Sequence, residues 1–100
     1  SGTSMLINEA HKLLNLSTFY TAGEKEVRAW TFVNGSKAPK VAGVIHSDFE
    51  KGFIKAEVMK FDDFDENLSE TKVKEAGKLK TEGKDYTVCD GDIIHFRFNN

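Results

Sequence analysis

One hundred residues are enough for a single domain with a modest core and no covalent staples. At 39% hydrophobic and 30% charged residues the chain is too apolar for disorder, and its formal net charge of -2 creates no overall field favouring nucleic acid. A single cysteine, Cys89, excludes an internal disulfide and any cysteine-rich metal or iron–sulfur site and suits a reducing, cytoplasmic setting, while no apolar run approaches membrane-spanning length.

Residues 1–4, Ser1-Gly-Thr-Ser4, read as an expression remnant. Residues 5–16 are expected to form a helix, because Leu6, Ile7, Ala10, Leu13 and Leu14 fall at helical spacing. An apolar stripe ahead of a strand-rich region reads as the junction with a preceding domain, which leaves residues 17–100 as the domain proper. Ser17 to Ala22 is rich in β-branched and aromatic residues, and Gly23-Glu24-Lys25 turns the chain into a second strand, Glu26 to Val33. Val27, Ala29, Thr31 and Val33 share one face of it, and Arg28, Trp30 and Phe32 the other. Asn34-Gly35 ends the hairpin, and Pro39 opens a short helix with Val41, Ala42 and Ile45 as its apolar stripe.

The stretch from Ala42 to Phe61 then links helix to strand. Ser47 and Glu50 have the spacing of a capping box, and Gly52 stands where a left-handed residue would close that turn. From Phe53 the pattern alternates, which places Ile54, Ala56 and Val58 in the core and Lys55, Glu57 and Met59 on the other face. An acid-dense segment, Asp62 to Ser69, precedes a helix from Glu70 to Ala76 with Gly77 past its end. Lys78 to Asp85 reads as a polar loop. Tyr86 to Cys89 and Ile93 to Phe98 read as strands flanking the turn Asp90-Gly91, with Ile94, Phe96 and Phe98 inward. Hairpin, helix, strand, small helix and two more strands suit an α+β domain: a mixed sheet wrapped around one short helix, the β-grasp (ubiquitin-like) arrangement.

Longer motifs carry a resemblance. Phe19-Tyr-Thr-Ala-Gly23, Glu26-Val-Arg-Ala-Trp-Thr31, Lys37-Ala-Pro39, Ala42-Gly-Val-Ile-His46, Asp48-Phe-Glu-Lys-Gly-Phe53 and Ala56-Glu-Val58 resemble the C-terminal TGS domain of the YchF family. So do Lys74-Glu-Ala-Gly-Lys78, Glu82-Gly-Lys-Asp-Tyr86 and Asp90-Gly-Asp92 with Ile94-His-Phe-Arg-Phe-Asn99, and the likeness runs from about Leu6 to Asn99. It implies a TGS domain from a cytoplasmic, Obg-related, ribosome-binding P-loop ATPase or GTPase, whose cofactors are ATP or GTP with Mg. This chain lacks Gly-x4-Gly-Lys-Ser/Thr, so the backbone nest and lysine that hold β- and γ-phosphates are missing. The family's base-recognition motif and coiled-coil insertion are missing too. No catalytic residue, cofactor or metal is therefore expected in this segment.

Individual residues add little chemistry. His46, Asp48 and Glu50 fit capping better than metal binding, since residues two apart do not converge on an ion. Cys89 has no evident base partner. Lys72, Lys74, Lys78 and Lys80 form a basic run that Asp62, Asp63, Asp65, Glu66 and Glu70 partly cancel. The β-grasp pairing is expected to place Arg28, Trp30, Lys55, His95 and Arg97 on the face opposite the helix, with Arg28 near Arg97. Guanidinium and aromatic groups there could stack bases or contact phosphate of RNA or the ribosome, but the favoured expectation is that this face docks on the parent's nucleotide-binding domain or covers a second small core. A sulfur carrier or modifier would need a terminal Gly-Gly where this chain reads Phe98-Asn-Asn100, and a β-grasp ferredoxin would need four cysteines. The expectation is a binding or regulatory module, monomeric or weakly dimeric; the alternative is a free-standing protein-interaction module that does not bind RNA.

Overall fold

Strand-forming sequence joined by turns, with one amphipathic helix in the middle, can bury its apolar faces only as a sheet closing over that helix. The computed structural model describes residues 2–22, 26–62 and 70–99. Its elements are α1 (Gly2–Leu14), β1 (Leu16–Ala22), β2 (Val27–Val33), α2 (Ala38–Ile45), α3 (Ser47–Lys51), β3 (Phe53–Lys60), α4 (Glu70–Glu75), β4 (Lys80–Glu82) and β5 (Asp92–Phe98). The strands form one sheet in the order β2-β1-β5-β3-β4. The central β1–β5 pair is parallel and the others antiparallel, as β-grasp topology requires.

The main core lies between the sheet and α2. Phe19 and Phe32 from the hairpin, Val58, Ile94 and Phe96 from the centre, and Ala38, Val41 and Ala42 from α2 are all buried there. The two alanines let the helix lie close to the sheet, and the Phe19 ring meets Phe32 and Phe96 edge-on with centroids 5.8 and 6.1 Å away. On the opposite face Met59, Val73 and Ile93 make a second small core with Tyr20 and Leu79. Met59 is therefore inside rather than on a solvated face. Gly77, at φ +74°, ends α4 as expected, with Lys78 N–H donating to the Val73 carbonyl and Gly77 N–H to that of Lys74.

Several expectations need correcting. The β3–β5 register shifts between Phe53 and Lys55, so Phe53 turns inward and Ile54 is left 55% exposed. Phe98, at the end of β5, is only half-buried. No capping box forms: His46, extended at φ -162° and ψ 140°, caps α3, and its Nδ1 accepts the Asp48 N–H at 3.0 Å. Ser47 is thus the first helical residue rather than the cap. Gly52 is not left-handed, with φ -97°. It is glycine because a Cβ there would stand 1.8 Å from the Asn99 carbonyl oxygen, and Asn99 N–H donates to the Gly52 carbonyl at 2.7 Å.

Tyr86 to Cys89 is not a sheet strand. It crosses the start of α2, where Ala38 N–H donates to the Tyr86 carbonyl and Val88 N–H to that of Ser36. The fifth strand comes instead from Lys80–Glu82, inside the stretch read as loop, where a short lysine-bearing edge needs no alternating pattern. Helix α1 begins at Gly2, ahead of the expected 5–16 span, and ends at Leu14, where Asn15 adopts φ +59°. The Gly23–Lys25 turn and acidic residues Asp63, Asp65 and Glu66 lie outside the described residues.

Candidate functional site

Strand register decides which of the expected site residues meet. Trp30 pairs with Phe19 and Arg28 with Thr21, so both lie on the α2 side with the main core. The Arg28 guanidinium sits 4.3 Å above the Trp30 ring, whose Nε1–H donates to Thr21 Oγ1 at 2.9 Å. Lys55 pairs with Arg97, and His95 with Glu57, on the opposite face, between residues whose side chains enter the main core. The expected five-residue platform is therefore split by the sheet. Arg28 and Arg97 do not approach, because β1 separates their strands and their side chains leave opposite faces.

Neither half is a simple cationic patch. Like charges at Lys55 and Arg97 stand directly opposite, which is unfavourable by itself. Glu57 offsets this: its Oε1 accepts from Arg97 Nε at 2.5 Å. That hydrogen bond holds the buried Glu57 carboxyl below its ordinary pKa, against the desolvation that pushes it up and with help from the charges of Arg97, His95 and Lys55. The open face thus presents alternating charge at this end.

The other candidates separate likewise. His46 Nδ1 is engaged by Asp48, while Glu50 turns towards Gly43 on α2. Among the described residues no three such groups are placed to share a metal ion. Lys72 and Lys74 lie on α4, Lys78 in the following turn and Lys80 on β4, all exposed. Among the described residues no glycine-rich loop with a following lysine precedes a helix, the arrangement that cradles nucleotide phosphates.

One polar cluster had no signal in the sequence. Asp92 is fully buried at the start of β5, and its carboxylate accepts from Tyr86 Oη at 2.5 Å, Lys60 Nζ at 2.5 Å and the Cys89 N–H at 3.0 Å. Burial and then the bond to Asp92 push the Tyr86 phenol far up. Burial works against the Lys60 ammonium, but Asp92 outweighs it and the lysine pKa stays above its ordinary value. Every donor is satisfied and Cys89 is exposed beside the cluster, so this arrangement pins the 86–92 loop to the sheet. Only the three-dimensional path of the loop brings those residues together.

Known proteins resemble the chain over nearly its full length. The family model YchF-GTPase_C, described as protein of unknown function (DUF933), matches residues 16–99. The ribosome-binding ATPase YchF of Pasteurella multocida is 60% identical over 98 residues, 98% of this chain and 27% of that protein. Obg-like ATPase 1 of Xenopus laevis is 59% identical over 96% of this chain and 24% of its own length. The solved YchF GTPase of Schizosaccharomyces pombe superposes with a TM-score of 0.85 at 44% identity, covering 93% of this chain and 25% of that one. The chain therefore spans about a quarter of the length of the relatives it matches. With the family model covering β1 to β5, the chain belongs to the YchF family and corresponds to its C-terminal domain.

Proposed function

We propose that this chain is a TGS-type docking domain of a longer, ribosome-associated P-loop ATPase, and that it performs no chemistry of its own. ATP or GTP with Mg would be bound by the preceding nucleotide-binding domain, since the residues here do not fit phosphate binding. The reading rests on one observation above all: Met5, Leu6, Ile7, Leu13 and Leu14 on α1 are between 51% and 85% exposed. A helix with a bare apolar stripe is unsatisfied by the domain that carries it, and the rest of the parent supplies the missing surface. The names of the relatives support ribosome association of that parent. RNA contact through this domain alone is the weaker reading, because Glu57 pairs with Arg97 and Trp30, the aromatic residue of the expected platform, lies on the other face.

Amide exchange compared between this chain and the full-length parent tests the docking. Amides of α1 should exchange quickly in the chain and gain protection in the parent. A parent carrying Leu6→Ser and Leu13→Ser should lose that protection while β1 to β5 keep theirs. Equal exchange of α1 in both contexts would refute the docking role. For the RNA reading, Lys55→Gln with Arg97→Gln in the parent should leave the salt slope of ribosome co-sedimentation unchanged; a slope flattened by about one unit per lost phosphate contact would restore it.

A further inference from the structure

The α2 side of the sheet carries a feature that docking through α1 does not use. β1 and β5 pair at Tyr20–Ile93 alone, and where they part a groove of about 340 Å³ opens, walled by Thr21, Trp30, Phe49, Phe96 and Phe98 on the α2 side and reached through the gap between the strands by Met59, Ile93 and His95. This is near the lower limit of ligand pockets, which run about 300–1,000 Å³, and suits one inserted side chain better than a cofactor. Its walls are already fixed. Trp30 is held by its bond to Thr21 and stacks on Phe19 at an interplanar angle of 14°, while Phe49 stacks on Phe98 with centroids 3.9 Å apart. An incoming group therefore meets rigid aromatic surface, and little side-chain freedom remains to be lost.

Charge at the groove is one-sided. Although the sequence carries 16 acidic residues, no carboxylate among the described residues lines the groove. Arg28 is outside the lining itself but stands 4.3 Å over the ring of Trp30, one of the walls, and has no carboxylate partner among the described residues. Fixed aromatic residues beside an arginine are the groups that anchor protein interfaces. We propose that this groove is a docking site for a protein segment presenting an aromatic side chain flanked by acidic residues. The ring enters between Trp30, Phe49 and Phe96, and a flanking carboxylate meets Arg28. A nucleic-acid strand is disfavoured, because Arg28 beside the groove and His95 in its lining, on a domain of net charge -2, give its phosphates little to hold.

Trp30 is the only tryptophan in the chain, so its fluorescence reports directly from the groove wall. The 100-residue chain is titrated with acetyl-DEFDE-amide, with the same peptide carrying alanine for phenylalanine, with the neutral acetyl-NQFNQ-amide, and with hexauridylate. The acidic phenylalanine peptide should give a saturable change, the alanine peptide none, and the neutral peptide binding roughly 2–5-fold weaker. Arg28→Gln should remove the difference between acidic and neutral peptides. Phe49→Ala, which removes one aromatic wall, should abolish the saturable change, with urea denaturation checking that the variant remains folded. Absence of saturation below about 1 mM peptide would overturn the proposal. So would equal binding of the alanine peptide, a response that survives Phe49→Ala, an acidic preference that survives Arg28→Gln, or saturation by hexauridylate alone, which would assign the groove to nucleic acid.

Discussion

Truncating Phe96 and Ile54 to alanine gives the sharpest test of the strand register, because simple alternation treats the two alike and the structure does not. Phe96 is 6% exposed and contacts Phe19 and Phe53 edge-on, with centroids 6.1 and 6.4 Å away. Removing that ring from the centre of the sheet forfeits its burial and leaves a cavity that the flanking strands cannot close, a loss of ~3–5 kcal/mol. Ile54 is 55% exposed beside the β3 irregularity, so Ile54→Ala should stay below about 1 kcal/mol. Urea denaturation followed by Trp30 fluorescence and far-ultraviolet circular dichroism gives both values, and the two probes should coincide if unfolding is two-state. For a domain of this size the Phe96→Ala loss corresponds to a midpoint roughly 12 °C lower, or more. Comparable losses from both variants, or a Phe96→Ala loss under about 1 kcal/mol, would mean that the register in β3 and β5 is wrong.

Gly52→Ala should destabilise the domain by more than about 1 kcal/mol, because the new Cβ meets the Asn99 carbonyl at 1.8 Å and the chain must move; a neutral result by urea denaturation would show that this end of β5 yields freely. Glu57 titrates below its ordinary value of 4.5 in the folded state, so its contribution is present above that pH and is lost as pH falls through the folded value. Arg97→Gln should therefore narrow its stability deficit towards wild type in acid, and a deficit constant across that range would remove Glu57 as the partner. The purified chain should hydrolyse neither ATP nor GTP above a no-protein blank, and activity that persists through a further purification step would contradict the absence of a phosphate loop.

The sequence by itself determined the element types wherever a period was long and uninterrupted. The hairpin strands, α2 and β5 follow from alternation or helical spacing, and family membership from ordered motifs along most of the chain. It could not determine which face a strand turns inward once a single residue is displaced, since a one-residue slip reverses every side chain beyond it. Ile54 and Phe53 exchanged places for that reason. Nor could local pattern find β4, a short charged edge, or the bonds that tie Tyr86, Cys89 and Lys60 to Asp92, which join positions up to 32 residues apart. The candidate site fared similarly: whether Arg28, Trp30, Lys55, His95 and Arg97 share one face depended on the inward side of each strand. That side was set by α2, whose alanines and Val41 drew Trp30 and Phe96 towards the main core and left Lys55, His95 and Arg97 across the sheet.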